Sequence, residues 1–191
     1  SNAMATDPHQ RLTIPEYLAF ERQSETRHDY LDGEVFAMTG ASRTHNLIAG
    51  NIFGEIRNQL KRRTCEVYQE AMRVRTPAGL FTYPDVVAVC GEPRFDDIHF
   101  DTLLNPTLLV EVLSPSTAAY DRKTKTAQYR SIPSLEEYLL VAQDQIRIER
   151  WSRDGEDEWQ SQDLTRLEQV LELPSIRCRL LLGDIYERVF E

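Results

Sequence analysis

Apolar residues recur at every fourth position in ASRTHNLIAGNIFGEIRNQLKRR, where Ile48, Ile52, Ile56 and Leu60 share one face with Phe53 beside them. That spacing predicts an amphipathic helix of about five turns. A shorter helix is predicted over TIPEYLAFERQ: Thr13 can cap it, Pro15 suits its first turn, and Tyr17, Leu18 and Phe20 are apolar anchors. Between the two, HDYLDGEVFAM reads as a pair of short strands around an Asp32-Gly33 turn. Strand-like runs follow in CEVYQE, MRVRTP and YPDVVAVCG, then the loop EPRFDDIHFDTLLNP and the strand TLLVEVLS. AAYDRKTKTAQYRSI predicts a helix ending before Pro133, and EEYLLVAQ and IRIERWSR read as strands. Asp154-Gly155 turns the chain into EDEWQSQDL, and LELPS and a short helix near LLGDIYERVF close it. Hairpins mixed with one strand–helix–strand crossover, from LLVEVL to EYLLV, predict an α/β (α+β) fold with a mixed central β-sheet flanked by helices. With no repeat or linker-like change of composition, residues 4–191 read as one domain, and the Ser-Asn-Ala before Met4 as an expression-tag scar.

Composition narrows the function classes. The 191 residues are 41% hydrophobic and 28% charged, the balance of a soluble globular chain with a real core. No apolar run approaches the roughly 20 residues of a membrane span, and no signal peptide is visible, so a cytoplasmic location is expected. Cys65, Cys90 and Cys178 are far apart and have no neighbouring His, which argues against zinc and against a disulfide framework. They read as buried, reduced thiols. A net charge of -9 argues against holding nucleic acid by phosphate neutralisation alone. It constrains a metal-dependent nuclease less, because bound cations neutralise an acidic site.

Two acids stand out. Asp85 follows Pro84 at the mouth of the apolar run VVAV, and Glu111 lies inside LLVEVL. In that second strand Leu109, Glu111 and Leu113 share one face and Leu108, Val110 and Val112 the other, so both faces look covered. A buried carboxylate is costly unless it is paired, hydrogen-bonded or metal-bound. On neighbouring strands Asp85 and Glu111 could meet, and two carboxylates, a backbone carbonyl and waters make a ligand set that suits Mg²⁺. The alternatives are a strand-entry cap for Asp85 and an arginine ion pair for Glu111. On the following helix Asp121, Lys125 and Tyr129 fall on one face, so Lys125 could be aimed at a phosphate. Lys123 points elsewhere and reads as solvated.

Asp, then Glu on the next strand, then a lysine resembles the PD-(D/E)XK nuclease superfamily, although Leu113 stands where the superfamily usually places its lysine. The ordered set DGEV, PDVVAV, VEVLSPST, DRxxKxxxY and EYLLV resembles one branch of it, the bacterial Uma-two family of restriction-endonuclease-like proteins, from about Pro15 to Tyr186. The resemblance implies a restriction-endonuclease-like core, DNA as substrate and Mg²⁺ or Mn²⁺ as cofactor. It also implies a lysine migrated to the helix, Lys125 here, and points to Glu34 as a further acid. The site it implies is therefore Glu34, Asp85, Glu111 and Lys125, with Asp85 and Glu111 holding the metal.

Other residues are set aside. His45 reads as a helix-start capping or surface group, and Ser114 with Pro115 as a helix start. Arg73, Arg75, Arg122 and Arg130 are candidate phosphate contacts. Trp151 and Trp159 are expected to face each other across a hairpin, as packing or as a subunit interface. A homodimer would suit a duplex with two strands to cut. The rival to the endonuclease is a catalytically inactive nucleic-acid- or protein-binding module on a nuclease fold, and hydrolysis of RNA or another phosphate ester is a third reading.

Overall fold

A computed structural model describes residues 11–38 and 40–191, and the scar at residues 1–3 lies outside them. Helix α1 (Ile14–Gln23) opens with a reciprocal capping box between Thr13 and Glu16 and buries Tyr17 and Leu18. Strands β1 (His28–Leu31) and β2 (Glu34–Ala37) form the expected hairpin. Asp32 (φ 51°) and Gly33 (φ 86°) both take left-handed conformations at its turn, which is why Asp-Gly suits it. Helix α2 (Arg43–Gln59) buries Ile48, Ile52 and Ile56 completely.

The remaining strands are β3 (Glu66–Gln69), β4 (Arg73–Arg75), β5 (Phe81–Thr82), β6 (Val86–Val89), β7 (Thr102–Leu103), β8 (Leu108–Leu113), β9 (Glu137–Ala142), β10 (Ile148–Arg153), β11 (Trp159–Leu164), β12 (Val170–Leu173) and β13 (Cys178–Leu181). Between β8 and β9 runs the crossover helix, made of α3 (Ala118–Tyr120), a π-helical turn (Asp121–Lys125) and α4 (Thr126–Arg130); α5 (Leu182–Ile185) follows β13. The two-residue strands β5 and β7 and the strand β13 lie where the sequence reads as loop or tail. Their pairing is decided by neighbours distant in sequence.

Six strands form a mixed sheet in the order β11-β10-β9-β8-β6-β3, with β8 and β9 parallel through the crossover as expected. A five-stranded sheet, β2-β1-β5-β4-β7, lies apart from it, and β12 and β13 pair alone. One face of the large sheet (Val86, Ala88, Leu108, Val110, Val112, Leu139, Val141) packs on α2, α5 and the β12–β13 hairpin. The other face (Val87, Leu109, Leu113, Tyr138, Leu140) meets the crossover helix through Tyr129 and the small sheet through Val74 and Leu103. Burying one such aliphatic side chain contributes about 1.5–3 kcal/mol. Among the described residues no helix is long and apolar enough to cross a membrane.

Two expectations are corrected. Cys65 and Cys90 are joined in a disulfide rather than being separate thiols, while Cys178 is free and buried. Glu66 pairs with Val89 across β3 and β6, so the two cysteines stand one residue beyond that pair on opposing strands, a proximity their 25-residue separation conceals. Trp151 and Trp159 are not directly opposed, since Trp151 pairs with Ser161 and Trp159 with Arg153. Both rings instead pack on Tyr138, at 6.1 and 5.2 Å.

Candidate functional site

Asp85 stands immediately before β6, and its backbone N–H donates to the Val110 carbonyl at 3.0 Å. Val86 pairs with Val110, so the antiparallel register sets Asp85 across from Glu111 on β8. The carboxylate of Asp85 is held at both oxygens: Oδ2 accepts the Val112 backbone N–H at 2.7 Å, and Oδ1 lies 2.9 Å from His45 Nε2. His45 reaches it because Ser42 caps α2 and takes the His45 backbone N–H at 3.1 Å, which orients the first turn toward β6. The hydrogen bond to Asp85 raises the His45 pKa against the opposing effect of burial. His45 is therefore more than the capping or surface group its position at a helix start suggests.

Glu111 is 4% exposed. Its Oε1 accepts from the Tyr129 hydroxyl and from Lys125 Nζ, the latter at 3.3 Å. Burial pushes its carboxyl up to about 8, and the neighbouring Lys125 charge opposes that rise only in part. The ion-pair partner is thus a lysine, not one of the arginines. Lys125 Nζ also lies 3.4 Å from Asp121 Oδ1. Burial works against the Lys125 charge, but Glu111, Asp29, Asp121 and Asp85 together outweigh it and hold the ammonium charged. The predicted shared face holds, with Asp121, Lys125 and Tyr129 all buried. The turn that carries Asp121 and Lys125 is π-helical, with the Thr126 N–H donating to the Asp121 carbonyl; such turns are frequent at functional sites. Lys123, two residues away, is exposed.

Glu34 does not join this group. Its side chain is 45% exposed at the start of β2 and lies 3.7 Å from Arg11. The acid that the first hairpin does contribute is Asp29, which is 7% exposed and whose Oδ1 has no hydrogen-bond partner. Burial raises its pKa, and Lys125 is the foremost charge offsetting that rise. The rule that singles out Asp85 and Glu111, a lone acid in a strand, applies equally to Asp29. However, HDYL is too short and polar a run to look buried. Two of the arginines weighed as phosphate contacts are committed elsewhere: Arg73 to Thr102, Tyr83 and Asp101, and Arg75 to Asp96.

Among the described residues no three acid, His or Cys side chains are gathered as a ready-made metal cage. Two carboxylates, Glu111 and Asp121, contact the Lys125 ammonium, Asp29 and Asp85 add negative charge from farther off, and His45 and Tyr129 fix Asp85 and Glu111. Such a group can hold a cation through oxygen atoms and present a lysine to an anionic substrate.

A family model described as "Putative restriction endonuclease" matches residues 14–181. Two proteins of Synechocystis sp., both named as uncharacterized, are similar in sequence. The first, sll1609, is 35% identical over 149 residues, which cover 78% of this chain and 84% of that one. The second, slr1290, is 33% identical over 180 residues, which cover 94% and 93%. The crystal structure of a putative nuclease belonging to DUF820 from Anabaena variabilis superposes with a TM-score of 0.77 over 93% of this chain and 99% of that chain, at 17% identity. That likeness shows a shared fold. With most of its length matched by the family model, the chain belongs to the Uma2 family of restriction-endonuclease-like proteins.

Proposed function

We propose that the protein is a metal-dependent endonuclease that hydrolyses DNA phosphodiester bonds at the cluster of Asp85, Glu111 and Lys125. The observation that carries this reading is the pairing of Asp85 with Glu111 across adjacent strands, with a buried lysine 3.3 Å from the glutamate. The side chains fit Mg²⁺ or Mn²⁺. Their donors are oxygens, and Mg²⁺ needs only one or two carboxylates because it keeps several waters. Acids outnumber cations in the cluster, and Asp29 Oδ1 is buried without a partner. Asp85 and Glu111 would hold the ion. When bound, it supplies Lewis-acid polarisation of the phosphodiester and lowers the pKa of an attacking water.

The protein's own groups do the rest. The Val112 N–H and His45 lock the Asp85 carboxylate against rotation, leaving its remaining lone pairs toward Glu111. Tyr129 and Lys125 fix Glu111 Oε1. The Lys125 ammonium, charged at every physiological pH, offers donors to a non-bridging phosphate oxygen and offsets charge that builds there. Incubating supercoiled plasmid with Mg²⁺, Mn²⁺ or EDTA tests the reading. Metal-dependent nicking by the wild type and none by Asp85→Asn is expected. Equal nicking by both would sink it.

A second reading has an observation of its own. The Asp85, Glu111 and Lys125 side chains are each 10% exposed or less, as suits ions kept for structure in a binding module. Calorimetry separates the two, because a module without a metal role binds no Mn²⁺ that Asp85→Asn abolishes. A DNA substrate also goes with a cytoplasmic location and with a homodimer that offers one site to each strand. A disulfide such as Cys65–Cys90 is rare in reducing compartments, so counting free thiols in protein extracted under acid quench tests the location.

A further inference from the structure

Gln143 is the first residue after β9, where the chain leaves the large sheet for the turn into β10. Leu113 and Ala142 are the last pair of the parallel β8–β9 ladder, so Gln143 stands just past the end of β8. Its amide is engaged at both ends. Nε2 donates to the Leu113 carbonyl at 3.0 Å, and Oε1 accepts from the Ser42 hydroxyl at 3.0 Å. Ser42 is the N-cap of α2, and the oxygen that donates to Gln143 also accepts the His45 backbone N–H at 3.1 Å. From there His45 Nε2 meets Asp85 Oδ1 at 2.9 Å, and Asp85 Oδ2 takes the N–H of Val112, the residue before Leu113. The bonds close a ring that starts and ends on β8.

The chemistry of the partners fixes the sense of the ring. A serine hydroxyl has one hydrogen, and with that hydrogen given to Gln143 its lone pairs remain for the helix cap. An amide can donate to a carbonyl and accept from a hydroxyl at once, which a carboxylate or an ammonium cannot. The first turn of α2 depends on such ties, because its first fully buried apolar residue is Ile48, beyond that turn. The other tie there, from Arg43 Nη2 to the Arg188 carbonyl at 3.2 Å, holds the helix to the C-terminal segment and not to β8. We infer that Gln143 is a positioning residue that fastens the first turn of α2 to the end of β8 and so holds the Asp85 carboxylate in place across from Glu111. It acts through Ser42 and His45. Its catalytic consequence rests on the nuclease reading, but the ring itself can be read without cleavage or metal.

The test uses Gln143→Met, which keeps the side-chain length and removes both bonds, with Ser42→Ala, Ser42→Thr and the Gln143→Met/Ser42→Ala double variant. Amide hydrogen exchange, Mn²⁺ calorimetry and plasmid cleavage are measured on each. In Gln143→Met the Val112 amide is expected to exchange about tenfold faster or more, while the Ile56 amide near the far end of α2 stays unchanged, as an opening confined to the ring requires. Mn²⁺ affinity should fall about 10–100-fold, the usual cost of losing a partner that orients a metal ligand. At saturating Mn²⁺, kcat should fall about tenfold or more with KM for plasmid changed less than about threefold. Ser42→Thr should behave as wild type, because it keeps both the hydroxyl and the cap. The double variant should bind Mn²⁺ little worse than Ser42→Ala alone, because one break already opens the ring.

Equal acceleration of Val112 and Ile56 in Gln143→Met, with Mn²⁺ affinity and kcat unchanged, would overturn the inference and leave Gln143 a tie that only stabilises the fold. Ser42→Thr as impaired as Ser42→Ala would overturn it too, since the hydroxyl would then not be what carries the ring. Failure of the nuclease reading looks different. In that case wild type and Asp85→Asn behave alike on DNA, while the Val112 amide still exchanges faster in Gln143→Met.

Discussion

The protein buries two polar clusters, and they differ in how their charges add up. In the first, α1 is tied to β1 through Glu21, which accepts the His28 backbone N–H at 2.9 Å, meets His28 Nδ1 at 3.1 Å and takes the Tyr83 hydroxyl at 3.2 Å. Arg73 closes that cluster, donating to Tyr83 at 3.0 Å and pairing with Asp101 at 2.9 Å. Acids and bases there come in near-equal number, and the atoms without a hydrogen bond, His28 Nε2 and Arg73 Nη2, belong to bases, the second still meeting Asp101. The second cluster places Asp29, Asp85, Glu111 and Asp121 around Lys125 and His45, with one carboxylate oxygen orphaned. A balanced cluster cements a fold, whereas an acid-rich one stores an unmet demand for positive charge. On this ground the proposed function is assigned to the second, although both contain a histidine and a buried acid.

The sharpest way to break the comparison is to remove the cation from each. Lys125→Met is expected to lower DNA cleavage about 10²–10³-fold while the protein stays folded, as judged by circular dichroism. Arg73→Met should do the reverse. It strands Tyr83 and Asp101 in a site where Arg73 is only 4% exposed, and it is expected to cost about 3 kcal/mol in urea unfolding, with kcat of the folded fraction unchanged. If Arg73→Met abolished cleavage without destabilising, charge balance would not separate structure from function here.

How much of this could be read from the chain follows from the range of each interaction. α1, the first hairpin and α2 were legible because caps, turn residues and a four-residue repeat are local. Asp85, Glu111 and Lys125 were legible because an acid in an apolar strand violates a local rule, and because one helix face collects Asp121, Lys125 and Tyr129. The buried acid of the hairpin is Asp29, not Glu34. Glu34 and Asp29 flank the same turn, and only packing between segments distant in sequence decides that Asp29 is buried and Glu34 is not. His45 was undervalued for the same reason, since its partner Asp85 lies 40 residues on. The Cys65–Cys90 bridge likewise depends on the pairing of β3 with β6, which no sequence spacing announces.

A smaller effect sharpens the contrast through pH. The Glu111 carboxyl is pushed up to about 8, above its ordinary 4.5, so between those values the folded protein keeps a proton that the unfolded chain has released. Stability therefore falls as pH rises through that window, the opposite of a salt-bridged surface acid. His45, also raised, adds a fall in the same direction. Glu111→Gln cannot titrate, so it should flatten the slope between pH 5 and pH 8 and leave the His45 part behind. In the balanced cluster, Glu21→Gln should lose stability because it weakens the contacts to His28 and Tyr83. Urea unfolding of both variants at pH 5 and pH 8 provides the check.

The smallest effect separates the two acids of the first hairpin. Glu34 and Arg11 are 45% and 64% exposed and 3.7 Å apart, a pair that water screens and side-chain entropy opposes. Glu34→Gln should therefore change stability by no more than about 0.5 kcal/mol. With no part in the charge that holds Lys125, it should leave plasmid cleavage within twofold of wild type. A large loss of cleavage in Glu34→Gln would mean that the hairpin turns over to bring Glu34 inward when DNA binds, and the acid-rich cluster would then be incomplete without it. Unchanged cleavage would leave the acid-rich cluster complete without Glu34, whose side chain stays 45% exposed while Asp29, on the same hairpin, is buried.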